Sequence, residues 1–107
     1  MKSLFENGKQ TRSINGAAYF GVRINASYNQ LVKILGPPHS TMNDKSFNTW
    51  FYENSLGEVC YIYDSYRSVC PSQYPEFEFH WHIGGFNWLS CMYMQEDLEK
   101  ALRNVPK

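Results

Sequence analysis

Three titratable side chains, Glu78, His80 and His82, alternate within Phe77–Ile83 (FEFHWHI). On an extended strand successive side chains point to opposite faces, so these three share one face while Phe77, Phe79, Trp81 and Ile83 share the other. An H-x-H pair on a strand is one way to present two imidazoles to a metal or to a proton in transit, and Asp64 on a neighbouring strand would complete such a set. No third spacing is fixed, so the sequence expectation is that no metal or other cofactor is bound. Gly84-Gly85 closes the segment. It fits neither phosphate-loop pattern and is expected to end the strand in a bend that brings backbone close to a neighbour. Together with Tyr63, Tyr66 and Arg67 from the preceding segment, these residues form the candidate binding set: Tyr63, Asp64, Tyr66, Arg67, Glu78, His80, His82, Gly84 and Gly85. No catalytic residue is assigned, because no serine or cysteine stands beside a base in a recognisable frame.

The thiols offer little more. Cys60, Cys70 and Cys91 are odd in number and widely spaced, which suits reduced thiols in a cytoplasm better than a secreted disulfide framework. Cys60 sits in an apolar strand pattern and reads as core. Cys70, before Pro71 in a loop, is the one thiol placed to react.

The elements that must position these groups are legible along the chain. Residues 1–16 are polar and read as an arm or lead-in, with a short strand around Leu4–Phe5. Ala18–Arg23 reads as a strand with Gly21 as a bulge. Ser27-Tyr28-Asn29-Gln30 fits the S-x-x-Q capping box, and Leu31, Val32, Ile34 and Leu35 follow before Gly36-Pro37-Pro38, which predicts a helix over Tyr28–Leu35. Thr49–Glu53 and Glu58–Asp64 read as a hairpin about Asn54–Gly57. Asn87–Met94 is expected to add a further strand, and Gln95–Asn104 a helix. The predicted fold is a single α+β domain over residues 1–107: an antiparallel sheet built as strand, helix, three-strand meander and helix, with both helices on one face.

Composition bounds the function. The 107 residues carry 10 basic and 10 acidic groups, with eight Tyr, seven Phe and three Trp. Zero net charge disfavours nucleic acid as a partner, since such binding neutralises phosphates. No apolar run is long enough to cross a membrane, and the start lacks the apolar stretch of a signal peptide. The zero conceals an asymmetry: residues 1–45 hold six basic and two acidic groups, and residues 46–107 hold four basic and eight acidic. An acidic half that is also rich in Trp50, Tyr52, Tyr61, Tyr63, Tyr66 and Trp88 suits recognition of a basic protein.

Several stretches then resemble a group of small bacteriophage-encoded proteins. They are Ser27–Pro38 (SYNQLVKILGPP), Trp50–Glu53 (WFYE), Tyr61–Asp64 (YIYD) and Trp81–Gly85 (WHIGG), and the match covers about residues 22–85. Ser65 and Tyr66 depart from it, standing where the pattern has an aromatic residue and a lysine. The resemblance implies a source among small accessory genes of bacteriophages, many of which adjust host enzymes or block host immunity. Taken with the small size, the absence of a catalytic constellation and the acidic aromatic half, the expectation is a protein that binds and inhibits a host protein in the host cytoplasm. The order of helix, Gly-Pro and aromatic hairpin is also similar, in architecture only, to the outer-membrane assembly lipoprotein and β-lactamase-inhibitor type of unit, which binds proteins. The alternatives are a small-ligand binder that sequesters a nucleotide immune signal, and a metal-dependent or acid/base enzyme using Asp64, His80 and His82. A homodimer is a further expectation, because two copies would bury an exposed aromatic sheet face.

Overall fold

The strongest local instruction in the sequence is obeyed to the residue. In the computed structural model, which describes residues 1–41, 48–64 and 69–106, helix α1 spans Tyr28–Leu35. The Ser27 hydroxyl accepts from the Gln30 N–H at 3.1 Å, and the Gln30 side chain accepts from the Ser27 N–H at 2.9 Å. Gly36 ends the helix at φ +81°, with its N–H on the Val32 carbonyl. Two turns do not hold themselves together in water. Leu31 and Leu35 are buried, and two rings of the next strand meet the helix's last carbonyls: Trp50 Nε1 donates to Gly36 O at 2.8 Å, and the Tyr52 hydroxyl donates to Leu35 O.

Among the described residues, seven strands precede or flank this helix and its longer companion. They are β1 (Lys2–Ser3), β2 (Phe5–Glu6), β3 (Lys9–Gln10), β4 (Ala18–Ser27), β5 (Thr49–Glu53), β6 (Val59–Tyr63) and β7 (Glu78–Gly85), followed by α2 (Trp88–Leu102). Five form one antiparallel sheet in the order β1-β5-β6-β7-β4, and β2 and β3 pair separately. The fold is α+β, as the sequence predicts.

Four local expectations are corrected. Strand β4 runs on to Ser27, because the register slip at Gly21 (φ +85°) is absorbed as a bulge between Tyr19 and Val22 and pairing with β7 resumes beyond it. Gly84 and Gly85 do not end β7 but belong to it, paired with Tyr61 and Cys60 on one side and Tyr19 and Ala18 on the other. Asn87–Met94 is not a strand: the Asn87 side chain accepts from the Ser90 N–H at 2.8 Å and caps α2. The helical period there runs through Ser90, Cys91, Met94 and Leu98, two of which are small enough to hide it. Phe77 lies outside the core at 63% exposure, because β7 starts one residue later, and its ring stacks on Tyr74 instead.

The lead-in is more ordered than its polarity suggests. Asn7 and Gly8 both adopt positive φ (54° and 78°), which is the twist a two-residue hairpin turn needs between β2 and β3. Leu4 is fully buried and donates its N–H to Phe51 O, while its own carbonyl accepts from Thr11. The arm thereby lines one edge of β5.

The core is built on Trp50 and Trp81, both without exposure and packed edge to face at 5.4 Å. Trp81 places its Nε1 on Ala26 O at 2.8 Å, so its one polar atom is satisfied in the interior. Leu31 and Leu35 of α1, and Cys91, Met94 and Leu98 of α2, join the same apolar cluster with Val22, Ile24, Ile62 and Ile83. Among the described residues no helix is long and apolar enough to cross a membrane.

Candidate functional site

Because Trp81 and Ile83 enter the core, the intervening residues of β7 must face outward. His82 lies opposite Arg23 on β4 and Tyr63 on β6, and Gly84 lies opposite Tyr19 and Tyr61. The result is a row of rings across three strands. Tyr61 stacks on Tyr63 with centroids 5.1 Å apart, Tyr63 meets His82 edge-on at 5.3 Å, and His82 stacks on Tyr19 at 4.2 Å and 11°. Gly84 makes the row possible. A Cβ there would stand 2.2 Å from Cζ of Tyr61, so the phenol lies directly on bare backbone. Gly85 does the same on the core side, where a Cβ would approach Cys91 Sγ to 3.0 Å.

Burial governs the electrostatics of this row. It lowers the pKa of His82, with Arg23 and His80 adding repulsion against a proton. The stacked imidazole is therefore neutral at pH 7. Burial also raises the Tyr61 and Tyr63 phenols, Tyr63 to about 12 with Tyr61 and Tyr19 adding to the effect. These hydroxyls stay protonated and act as hydrogen-bonding groups.

Glu78 and His80 sit toward the other end of β7 and belong to a different feature. His80 pairs with the Asn25 side chain across the strands. Both residues line a cleft of about 700 Å³ between β4 and the C-terminal half of α2, with Arg23, Gln95, Glu99 and Arg103 around it. Gln95 spans it, donating from Nε2 to Arg23 O at 2.8 Å.

Asp64 joins neither group. It is fully buried just beyond β6, where one carboxylate oxygen accepts from the Asn48 N–H at 3.0 Å and from the Asn48 side-chain amide at 2.9 Å. Those bonds fix the residues before β5 to the end of β6. Tyr66 and Arg67 lie outside the described residues. No group of three His, Cys, Asp or Glu able to hold a metal occurs among the described residues. Of the aromatic candidates, Trp50 is core and Tyr52 is tied to α1, whereas Trp88 is exposed beside Leu89 on the first turn of α2.

One histidine carries a role that its sequence neighbourhood conceals. His39 lies in what reads as a polar loop, yet its Nδ1 accepts from the Phe51 N–H at 3.0 Å and its Nε2 is 3.1 Å from the Ser3 hydroxyl. The ring takes the place of a strand residue beside β5 and stacks on Phe5 at 4.4 Å. Burial lowers its pKa, as an accepting Nδ1 requires. The sequence cue was Pro37-Pro38, which turns the chain back across β5. Cys60 and Cys91 are buried thiols pushed up to about 12 and about 11, chiefly by desolvation, and Cys70 lies 2.9 Å from the Ser72 hydroxyl.

No protein-family model matches this chain, and no curated protein or solved structure matches it. The case for a function is therefore made by the ring row and the cleft.

Proposed function

We propose that this chain is a non-enzymatic binding protein, a small phage accessory factor that docks on and inhibits a host protein in the bacterial cytoplasm. The observation that carries the reading is the row Tyr61, Tyr63, His82 and Tyr19, which is only partly buried and ends in Tyr19 at 39% exposure. Rings already locked by stacking lose little freedom on binding and offer large contact areas, the properties of interface anchors. The resemblance of residues 22–85 to phage-encoded proteins, many of which act on host enzymes or host immunity, supports a host protein as the partner.

The test is capture from bacterial lysate on immobilised protein, followed by affinity measurement with the captured partner. Tyr19→Ala and Tyr63→Ala should each weaken binding by about 2 kcal/mol, roughly 30-fold, if these rings are anchors. A partner held equally by wild type and the Tyr19→Ala/Tyr63→Ala variant defeats the reading.

A second reading has its own support. The cleft lined by Arg23, His80 and Arg103, with Glu78 and Glu99 on the same rim, has the volume of a small-molecule site, and its two guanidinium groups are the donors a phosphate would use there. A nucleotide signal is the corresponding ligand. Thermal shifts against cyclic and linear nucleotides test it, since ligand at about 100 times its Kd adds about 2.7 kcal/mol. The acid/base reading through Asp64, His80 and His82 lacks comparable support, because Asp64 is enclosed with Asn48.

A further inference from the structure

Strand β4 is ten residues long and, among the described residues, is paired along one side only, with β7. In an antiparallel ladder each residue directs its N–H and C=O to the same side, and successive residues alternate. The Arg23 carbonyl accepts from the Gln95 side chain. Arg23, and Asn25 two residues on, therefore turn their backbone groups away from β7 and into the cleft. Gln95 meets one of those groups. The Arg23 N–H and both backbone groups of Asn25 have no partner among the described residues. An edge of this length with unmet amides is a template for another strand.

We infer that this edge pairs with the same edge of a second copy, joining two β4 strands antiparallel about a two-fold axis. The charges along the cleft favour a copy over a foreign peptide. Arg23 and Arg103 stand against Glu78 and Glu99, two of each sign, whereas a groove built for an acidic or a basic peptide would carry one sign. Rotation by a two-fold turns such a mixed rim into a self-complementary one. Glu99 and Arg103 are one helical turn apart on α2, so antiparallel α2 helices meeting across the axis set Glu99 of one copy by Arg103 of the other. The zero net charge of the chain removes long-range repulsion between copies. The axis stands perpendicular to the sheet, so both ring rows face the same way on one continuous sheet. Gln95 releases the Arg23 carbonyl to an N–H of the second copy. The inference is independent of the proposed host partner.

Sedimentation velocity over micromolar to millimolar concentration tests it. Wild type should pass from 12.5 kDa to twice that mass. Asn25→Pro deletes an amide that faces the cleft and takes no part in the β7 ladder, and it should raise the dissociation constant by about tenfold or more. Glu99→Arg sets like charges together and should weaken the dimer similarly, while Glu99→Arg/Arg103→Glu should restore it. Thermal melts check that each variant is folded; if Asn25→Pro is not, the helix pair alone decides. A chain that stays monomeric throughout overturns the inference. So does a dimer indifferent to the folded variants, or one that the charge exchange fails to restore.

Discussion

Gly84→Ala is a one-carbon perturbation whose effect depends on a single neighbour. The backbone at Gly84 is not in the left-handed region, so an alanine faces no conformational penalty there. The obstacle is the Tyr61 ring: an added Cβ would lie 2.2 Å from Cζ, 2.3 Å from Cε1 and 2.6 Å from Oη. The phenol must lift off the sheet, and in doing so it loses its stacking on Tyr63. Forcing a methyl into packed surroundings costs about 1–3 kcal/mol, and a lost aromatic pair about 0.5–1.5 kcal/mol. Replacing a strand glycine recovers about 0.5–1 kcal/mol through the unfolded chain. The expected net loss is about 1–3 kcal/mol, read as a lower urea midpoint with unchanged slope. In a Tyr61→Ala background the obstacle is gone, and the same Gly84→Ala change should stabilise by about 0.5–1 kcal/mol. The double-mutant cycle should thus give a coupling of about 1.5–4 kcal/mol. Equal effects of Gly84→Ala with and without the Tyr61 ring would refute the account of why glycine stands there.

Other consequences are open to direct measurement. Ser27→Ala removes the hydroxyl that accepts the Gln30 N–H and should cost about 1 kcal/mol in chemical denaturation, with Ser27→Gly costing less; no loss would mean the box does not stabilise α1. Native protein should titrate one thiol, Cys70, rapidly with a disulfide reagent, while Cys60 and Cys91, pushed up to about 12 and about 11, react only as the chain unfolds; three fast thiols would contradict their burial. Folding lowers the His39 pKa, so the unfolded chain binds that proton more tightly. Its contribution is complete above the unfolded value of about 6.5 and is lost as pH falls through the lower folded-state value. A ring-proton NMR titration of His39 should show a midpoint below that of free imidazole side chains, and a midpoint at or above it would be inconsistent with an accepting Nδ1.

What the sequence made legible was whatever a short window decides. The capping box, the Gly36 stop, the Asn54–Gly57 turn and the alternation through Trp81 and Ile83 are local, and each reappears in the structure. Long-range pairing was not legible. The placing of Tyr19 on His82 depends on the two-residue slip at the β4 bulge, which the pattern around Gly21 marks but does not measure. Asp64 read as an available carboxylate because nothing near it in sequence indicates Asn48, sixteen positions away, as its partner. The α2 start is ambiguous in sequence although Asn87 is a strong cap, since Trp, Leu, Met and Tyr in NWLSCMYM suit a strand as well as a helix. Asn7-Gly8 is a specific two-residue hairpin-turn pattern, set in a stretch whose polarity otherwise suits an irregular arm.

The charge asymmetry changes meaning once the chain is folded. Arg12 from the basic half donates at 2.6 Å to Glu53 and at 2.6 Å to the Gly57 carbonyl, and Lys2 is the register partner of Glu53. Asp97 accepts from the Ser55 N–H at 2.7 Å, Glu96 pairs with Lys100 one turn on, and Asp64 is enclosed with Asn48. Much of the acid in the second half thus acts within the chain, tying turns and the N-terminal arm to the sheet. The side chain that lies across from His82 on β4, beside the ring row, is a cation, Arg23. Charge reversal at Glu53 would release Arg12 from the β5–β6 turn and alter the fold's edge before it altered any docking. The acidic-face expectation therefore reduces to the half-buried Glu58 and the exposed Glu76, Glu78 and Glu99, of which Glu78 and Glu99 line the β4 cleft rather than the ring row. The proposed protein partner on the ring row would consequently be selected by shape and aromatic contact, with charge acting at the edge where a second copy would sit.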